Sequence, residues 1–225
     1  MIVRSLSLLL CLCLCLHAVA QNKEDMMGKT AAQILAMGHD KWFKLYTGKN
    51  GASTAGMVTA NDVYAQCLAK DTNARIAELP QSTRVVLQGL RKPMQEFIEA
   101  MIQCGYQVTG GGTIWTLFGS SAYVESEEAL AKIVKGPNPR LSLSKLETEV
   151  KGKLAKARKT VESSKKDIES FQESGYKAAI KALDDGGRIF AQLIAWSKKI
   201  KPDQASTLLK FCSSMADNAC DPFGN

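Results

Sequence analysis

Two histidines, seven cysteines and a dense group of lysines are the side chains in this sequence best suited to chemistry. His17 falls in an N-terminal stretch read below as a leader, which leaves His39 as the sole histidine of the remaining chain. Zinc sites built on two or three histidines therefore cannot be assembled within one copy. No Cys-x-x-Cys-His run exists, so covalently attached haem is excluded. A haem ligated by His39 and one of eight methionines is chemically allowed, but methionine in helical chains is first a core filler. No cofactor and no metal are expected. Gly110-Gly111-Gly112 is not a phosphate loop, because no Gly-Lys-Ser/Thr follows it. Glu125, Glu127 and Glu128 read as the acidic first turn of a helix. Asp184-Asp185 reads as a helix end and lacks the alternating oxygen ligands of a calcium loop.

His39-Asp40, placed on a helix, resembles the dyad of secreted phospholipases A2, in which a histidine activates water and the adjacent aspartate holds calcium. The resemblance covers two residues and implies a hydrolase centred there. The flanks depart from that family: Met37-Gly38 precedes, Lys41-Trp42 follows, and no glycine-rich calcium loop lies upstream. An ordinary surface histidine is the expectation, and no catalytic residue is assigned.

Two stretches carry binding potential. Residues 100–124 contain no charge over 25 positions. Their first reading is a buried helix–glycine–helix passage. Their second is an apolar-ligand pocket or membrane-inserting tongue contacted through Tyr106, Ile114, Trp115, Leu117 and Phe118. Between Lys151 and Lys166 there are seven basic residues and one acid, Glu162. Lys151, Arg158 and Lys165 recur every seven positions and share a face, with Lys159 and Lys166 beside them. Such a ridge is ordinarily solvated, and otherwise suits an anionic surface. It holds no aromatic residues for base stacking, so nucleic acid is not an expected partner. A second basic group is Lys198-Lys199-Ile200-Lys201.

The N-terminus places these elements in a compartment. A charged start through Arg4, an apolar run and Ala18-Val19-Ala20 form a secretory signal peptide over residues 1–20. The run is too short to span a bilayer comfortably, and no transmembrane helix is expected beyond it. The net charge of +7 falls to +6 with the loss of Arg4, a mildly basic balance that favours acidic partners. Three cysteines leave with the leader, so Cys67, Cys104, Cys212 and Cys220 remain, an even number that suggests two disulfides in an exported chain. Adjacency favours Cys67–Cys104 and Cys212–Cys220. In a hairpin turning at Pro80, however, Cys67 lies 13 residues before the turn and Cys104 lies 24 after it. That mismatch is roughly 16 Å at helical rise, against the ~6 Å a bridge tolerates.

The pattern behind these residues is helical throughout, giving an all-α helical bundle. Helices are expected from about Glu24 to Tyr46, from Thr59 or Asn61 to Leu79, and from Ser82 through Pro93, which should kink it. Another runs from about Ala122 to Lys135. Gly136-Pro137-Asn138-Pro139 divides an N-terminal part, 21–136, from a C-terminal part, 137–225, packed on it. Apolar or small residues at 143, 146, 150, 154, 157, 161, 164, 168, 171, 175, 178 and 182 form a heptad seam. They predict one long coiled-coil-like helix over about 141–183, ended by Asp184-Asp185-Gly186-Gly187. Two shorter helices follow, the last opening at Pro202.

These readings lead to a secreted or periplasmic, non-enzymatic bundle that binds a protein or an anionic envelope or lipid surface. The alternatives are an apolar-ligand carrier or membrane-active protein acting through residues 100–124, and a secreted hydrolase at His39-Asp40. Oligomeric state is left open.

Overall fold

A computed structural model describes residues 26–109, 112–164 and 173–217, and all its regular structure is α-helical. Among the described residues there are eight helices. We number them α1 (Ala31–Met37), α2 (His39–Asn50), α3 (Thr54–Ala77), α4 (Gln81–Thr109), α5 (Gly112–Lys135), α6 (Leu143–Ser164), α7 (Glu173–Ser197) and α8 (Pro202–Asp217). The described residues form two compact units, one up to Cys67 and one from Leu68 onward, divided within α3.

In the first unit the expected opening helix is two helices. Thr30 starts α1 with a reciprocal capping box: its hydroxyl accepts from the Gln33 N–H, and the Gln33 side chain accepts from the Thr30 N–H. Gly38, at φ 79°, then separates α1 from α2. A left-handed residue cannot continue a helix, and glycine occupies that region without steric cost. The third helix begins at Thr54, ahead of the expected Thr59 or Asn61, with the Ser53 hydroxyl accepting from the Gly56 N–H. Ile34, Trp42, Tyr46, Ala60, Val63, Tyr64 and Cys67 are buried.

The second unit is built on α4. Leu87, Leu90, Met94, Phe97, Ile98 and Met101 are fully buried along it, and the helix runs through Pro93 without ending. Its partners on α5 step backward as α4 steps forward: Arg91 meets Glu127, Ile102 lies against Gly119, and Gly105 meets Trp115. Phe97 meets Phe190 and Met101 meets Gly186 in the same reversed order on α7. Helix α4 is thus antiparallel to both neighbours. Helix α8 closes the core with Leu208, Leu209, Phe211, Cys212 and Met215.

The single long helix over 141–183 is replaced by two helices. Arg158 on α6 is ion-paired to Asp184 on α7. On one straight helix those residues would stand about 39 Å apart, so α6 and α7 lie side by side. The seam is buried on α6 at Leu146, Val150, Ala157 and Val161, whereas of its positions on α7 Ala182 is buried and Gly175 and Ala178 are half-buried. Seam positions 168 and 171 lie outside the described residues. Asp184-Asp185-Gly186-Gly187 does not end a helix; α7 passes through it to Ser197. The burial pattern carries on through Gly186, Ile189, Phe190, Leu193 and Ser197, which gives the peptide ladder reason to continue.

The Gly136–Pro139 segment lies within the second unit and is tied to α8. The Asn138 N–H donates to Asp203 at 3.1 Å, the Ser206 hydroxyl donates to the Pro139 carbonyl at 2.6 Å, and the Gln204 amide donates to the Ile133 carbonyl at 2.8 Å.

Candidate functional site

The outer side of α6 concentrates the charge. Leu146, Val150, Ala157 and Val161 turn inward, which directs Lys145, Lys151, Lys156 and Lys159 to solvent. Lys151 is paired with Glu147 one turn back, at 2.6 Å, and Arg158 with Asp184. Lys156 and Lys159 are exposed and enter no ion pair among the described residues. Lys165 and Lys166 lie outside the described residues.

Lys153, on the same helix, has a different role. Its ammonium donates to the Ser213 hydroxyl at 2.8 Å and the Ser213 carbonyl at 3.2 Å, and pairs with Glu149 at 2.8 Å and Asp217 at 3.3 Å. A cation at the last turn of α8 also complements that helix's dipole. Ser213 in turn donates to Glu149 at 2.5 Å. A serine touching a lysine is the geometry of a nucleophile and its base. Here the lysine is engaged by two carboxylates, Glu149 and Asp217. Burial pulls its pKa down, but the hydrogen bonds with Glu149 and Asp217 outweigh burial and hold it above its ordinary value. The hydrogen bonds from Lys153 and Ser213 hold Glu149 below the ordinary carboxylate range. The cluster is a charged clamp between α6 and α8. An open depression of about 400 Å³ beside it is lined by Ser144, Lys145, Thr148 and Glu149, all on α6.

The uncharged stretch folds as the end of α4 and the start of α5. Trp115 is 1% exposed. Its ring fills the space over Gly105, where a Cβ would stand 1.9 Å from Trp115 Cζ2, and Phe118 meets it edge-on at 5.4 Å. Tyr106, Leu117 and Phe118 are half-buried, and Ile114, at 37% exposure, faces water. Of the five residues named as ligand or membrane contacts, one is presented to solvent and Trp115 is a core residue. Among the described residues no helix is long and apolar enough to cross a membrane.

His39 joins α2 to α3. Its Nε2 lies 2.8 Å from Asn61 Oδ1, and its ring packs against Tyr64 and Phe43 at centroid distances of 5.2 and 5.8 Å. Asp40 Oδ1 is 3.8 Å from Nδ1 on a carboxylate that is 95% exposed. The dyad's nitrogen is thus committed to a buried amide, and its aspartate stands in water. Among the described residues no cluster of three His, Cys, Asp or Glu side chains could hold a metal ion.

Several residues acquire roles that the sequence did not suggest. Glu127 is not in a first turn, because α5 begins at Gly112. It is buried and receives two parallel hydrogen bonds from Arg91, at 2.8 and 3.0 Å, while Arg91 also donates to Asn73 at 2.7 Å. Asp62, beside Asn61, is half-buried, and burial pushes its carboxyl up to about 6. Its one signal in the sequence is its position among apolar neighbours on α3. Cys104 is disulfide-bonded. Cys212 is a fully buried thiol whose pKa is driven upward by burial. The expected Cys212–Cys220 bridge is therefore not formed. Each of the three ways of pairing four cysteines into two bridges uses Cys212, so none of them is complete. The sulfur of Cys212 sits deep in the α8 core face with Leu208 and Met215, where a small apolar side chain packs well.

No protein family, curated protein or solved structure matches this chain.

Proposed function

We propose that this chain is an exported, non-enzymatic helical-bundle protein that binds an acidic macromolecular partner or an anionic envelope surface through the outer face of α6. The observation that carries the reading is the state of the α6 cations. Lys151, Lys153 and Arg158 are neutralised within the fold, whereas Lys156 and Lys159 stand exposed one turn apart with their charge unspent. Charges held on a rigid helix act on a partner without the cost of ordering a loop. The polar clusters that resemble catalytic groups support the non-enzymatic half. Lys153 is kept protonated by its carboxylates, and the His39 Nε2 is engaged by Asn61.

Export rests on the leader. N-terminal sequencing of the protein from its host, outside the cytosol, should begin at Gln21; a chain starting at Met1 refutes it. Binding is read by co-sedimentation with anionic and neutral liposomes. Retention on anionic vesicles alone, lost on raising salt as screening shortens, is expected. Lys156→Glu with Lys159→Glu should weaken it by at least tenfold, since a basic residue near an anionic surface contributes about 1 kcal/mol. Equal binding to neutral vesicles, or an unaffected double variant, refutes the α6 assignment.

A further inference from the structure

The C-terminal end of α7 carries a second cationic group, and it differs from the first by having an aromatic residue at its centre. Lys198, Lys199 and Lys201 are all exposed, and among the described residues none of them enters an ion pair. The nearest acid along the chain, Asp203, accepts from the Asn138 N–H and feels the charge of Lys201 without forming an ion pair with it. The ammonium of Lys199 lies 4.2 Å from the centroid of the Trp196 ring, within the range of a cation–π contact.

Trp196 is the one tryptophan of three that is not buried: Trp42 and Trp115 are 0% and 1% exposed, while Trp196 is half-buried. Its seat is made by α4. A Cβ on Gly89 would stand 2.5 Å from Trp196 Cη2 and 3.0 Å from Cζ2, so the benzo edge of the indole is set against bare backbone. Trp42 spends its N–H on the Ala60 carbonyl. The Trp196 N–H makes no hydrogen bond among the described residues, and the residue as a whole is partly open to water. One turn before Gly89 on α4, Val85 is 60% exposed. A half-buried indole seated on Gly89, covered by Lys199 and followed in the chain by two more exposed lysines, has the composition of an interfacial anchor.

We infer that the corner formed by Trp196, Lys198, Lys199 and Lys201, with Gly89 and Val85 of α4, docks on the headgroup layer of an anionic lipid bilayer. The three lysines meet lipid phosphate and carboxylate, and the indole settles at the boundary between headgroups and acyl chains. A single strand of nucleic acid is the poorer fit. Stacking needs an open ring face, and Lys199 covers one face while Gly89 takes the far edge. The inference stands apart from the α6 reading, because it uses different residues on a different helix.

The buried state of the other two tryptophans makes Trp196 the reporter. The intact protein is mixed with phosphatidylcholine vesicles, with and without phosphatidylserine, whose acyl chains are brominated near the headgroup. Quenching of tryptophan emission on the anionic vesicles, little on the neutral ones, and none in Trp196→Phe is the expected result. Changing Lys198, Lys199 and Lys201 to Gln should weaken partitioning roughly fivefold per lysine, with helical circular dichroism unchanged. Anionic binding without quenching, or quenching that persists in Trp196→Phe, overturns the inference. So does an emission shift on a single-stranded oligonucleotide that the vesicles fail to produce. If binding is lost in Lys156→Glu with Lys159→Glu and no quenching accompanies it in the parent protein, the contact lies on α6: this inference fails and the earlier reading stands. Quenching without dependence on Lys156 and Lys159 has the opposite meaning.

Discussion

Arg91 reaches across from α4 to Glu127 on α5 and holds both carboxylate oxygens, at 2.8 and 3.0 Å, with a carboxylate that is 7% exposed. Such a fork-on-fork pair is directional and desolvated. Its removal is asymmetric: deleting one partner strands a buried charge, whereas deleting both does not. Arg91→Met should destabilise the protein by about 3 kcal/mol in urea unfolding. Arg91→Met combined with Glu127→Leu should recover most of that loss. Equal costs for the single and double variants would show that the pair's charge is not what matters.

Two glycines give opposite expectations for the same substitution. At Gly105 a methyl group collides with the Trp115 ring, which is walled in by the core. Gly105→Ala should cost about 1–3 kcal/mol or more through overpacking. At Gly152, in exposed α6, no atom lies within 4 Å of the added methyl. Gly152→Ala should stabilise by about 0.5–1 kcal/mol, since alanine is the better helix former. Thermal or urea unfolding of the two variants side by side reads both signs.

Asp62 makes stability depend on pH in an identifiable window. Burial raises its folded pKa from 3.8 to about 6, so the folded chain holds the proton more tightly than the unfolded chain does. That contribution is complete below pH ~4 and is lost as pH rises through about 6. Its size is of order 2 kcal/mol, after discounting for the part of the side chain still in water. Asp62→Asn should therefore gain stability relative to the parent at pH 7 and lose that advantage at pH 4. Parallel pH profiles for the two proteins would rule out Asp62 as the source.

The cysteines should separate chemically. Iodoacetamide should leave Cys212 unmodified in the folded protein and alkylate it after denaturation, because its thiol is fully buried and its ionisation is suppressed. Peptide mapping without reductant should recover Cys104 in a cross-linked peptide. A crosslink at Cys212, or a Cys104 peptide alkylated without reduction, contradicts this arrangement.

Helical periodicity made the fold class legible, yet it misled on the long helix for a physical reason. Heptad spacing reports which face of a segment is buried, and that face is buried equally well by a rod or by two neighbouring arms. Leu146 to Val161 on α6 and Ala182 to Leu193 on α7 obey the same count while lying side by side. Gly186-Gly187 reads locally as a breaker. In the fold, a Cβ at Gly186 would stand 2.5 Å from Met101 Cε, so the glycine serves close packing inside a helix. The same blindness to distant partners affected the binding residues. Absence of charge nominated Trp115, but its burial depends on Gly105 of another helix. The Lys198-Lys199-Ile200-Lys201 group was visible as charge, whereas the placement of Trp196 beside it depends on Gly89, more than a hundred positions earlier. Lys156 and Lys159 were distinguishable from Lys151 and Arg158 only once Glu147 and Asp184 had taken their places.

Helix α4 packs extensively on α5 and α7 and also meets α8, so three helices shield its middle turns from solvent. Amide protons around Phe97 and Met101 should then exchange with deuterium only through global unfolding. The outward lysines Lys145, Lys151, Lys156 and Lys159 belong to α6, which packs chiefly on α8 and α7. The bundle thus closes around one axial helix, so the amides of α4 should set the slow limit of exchange for the whole second unit.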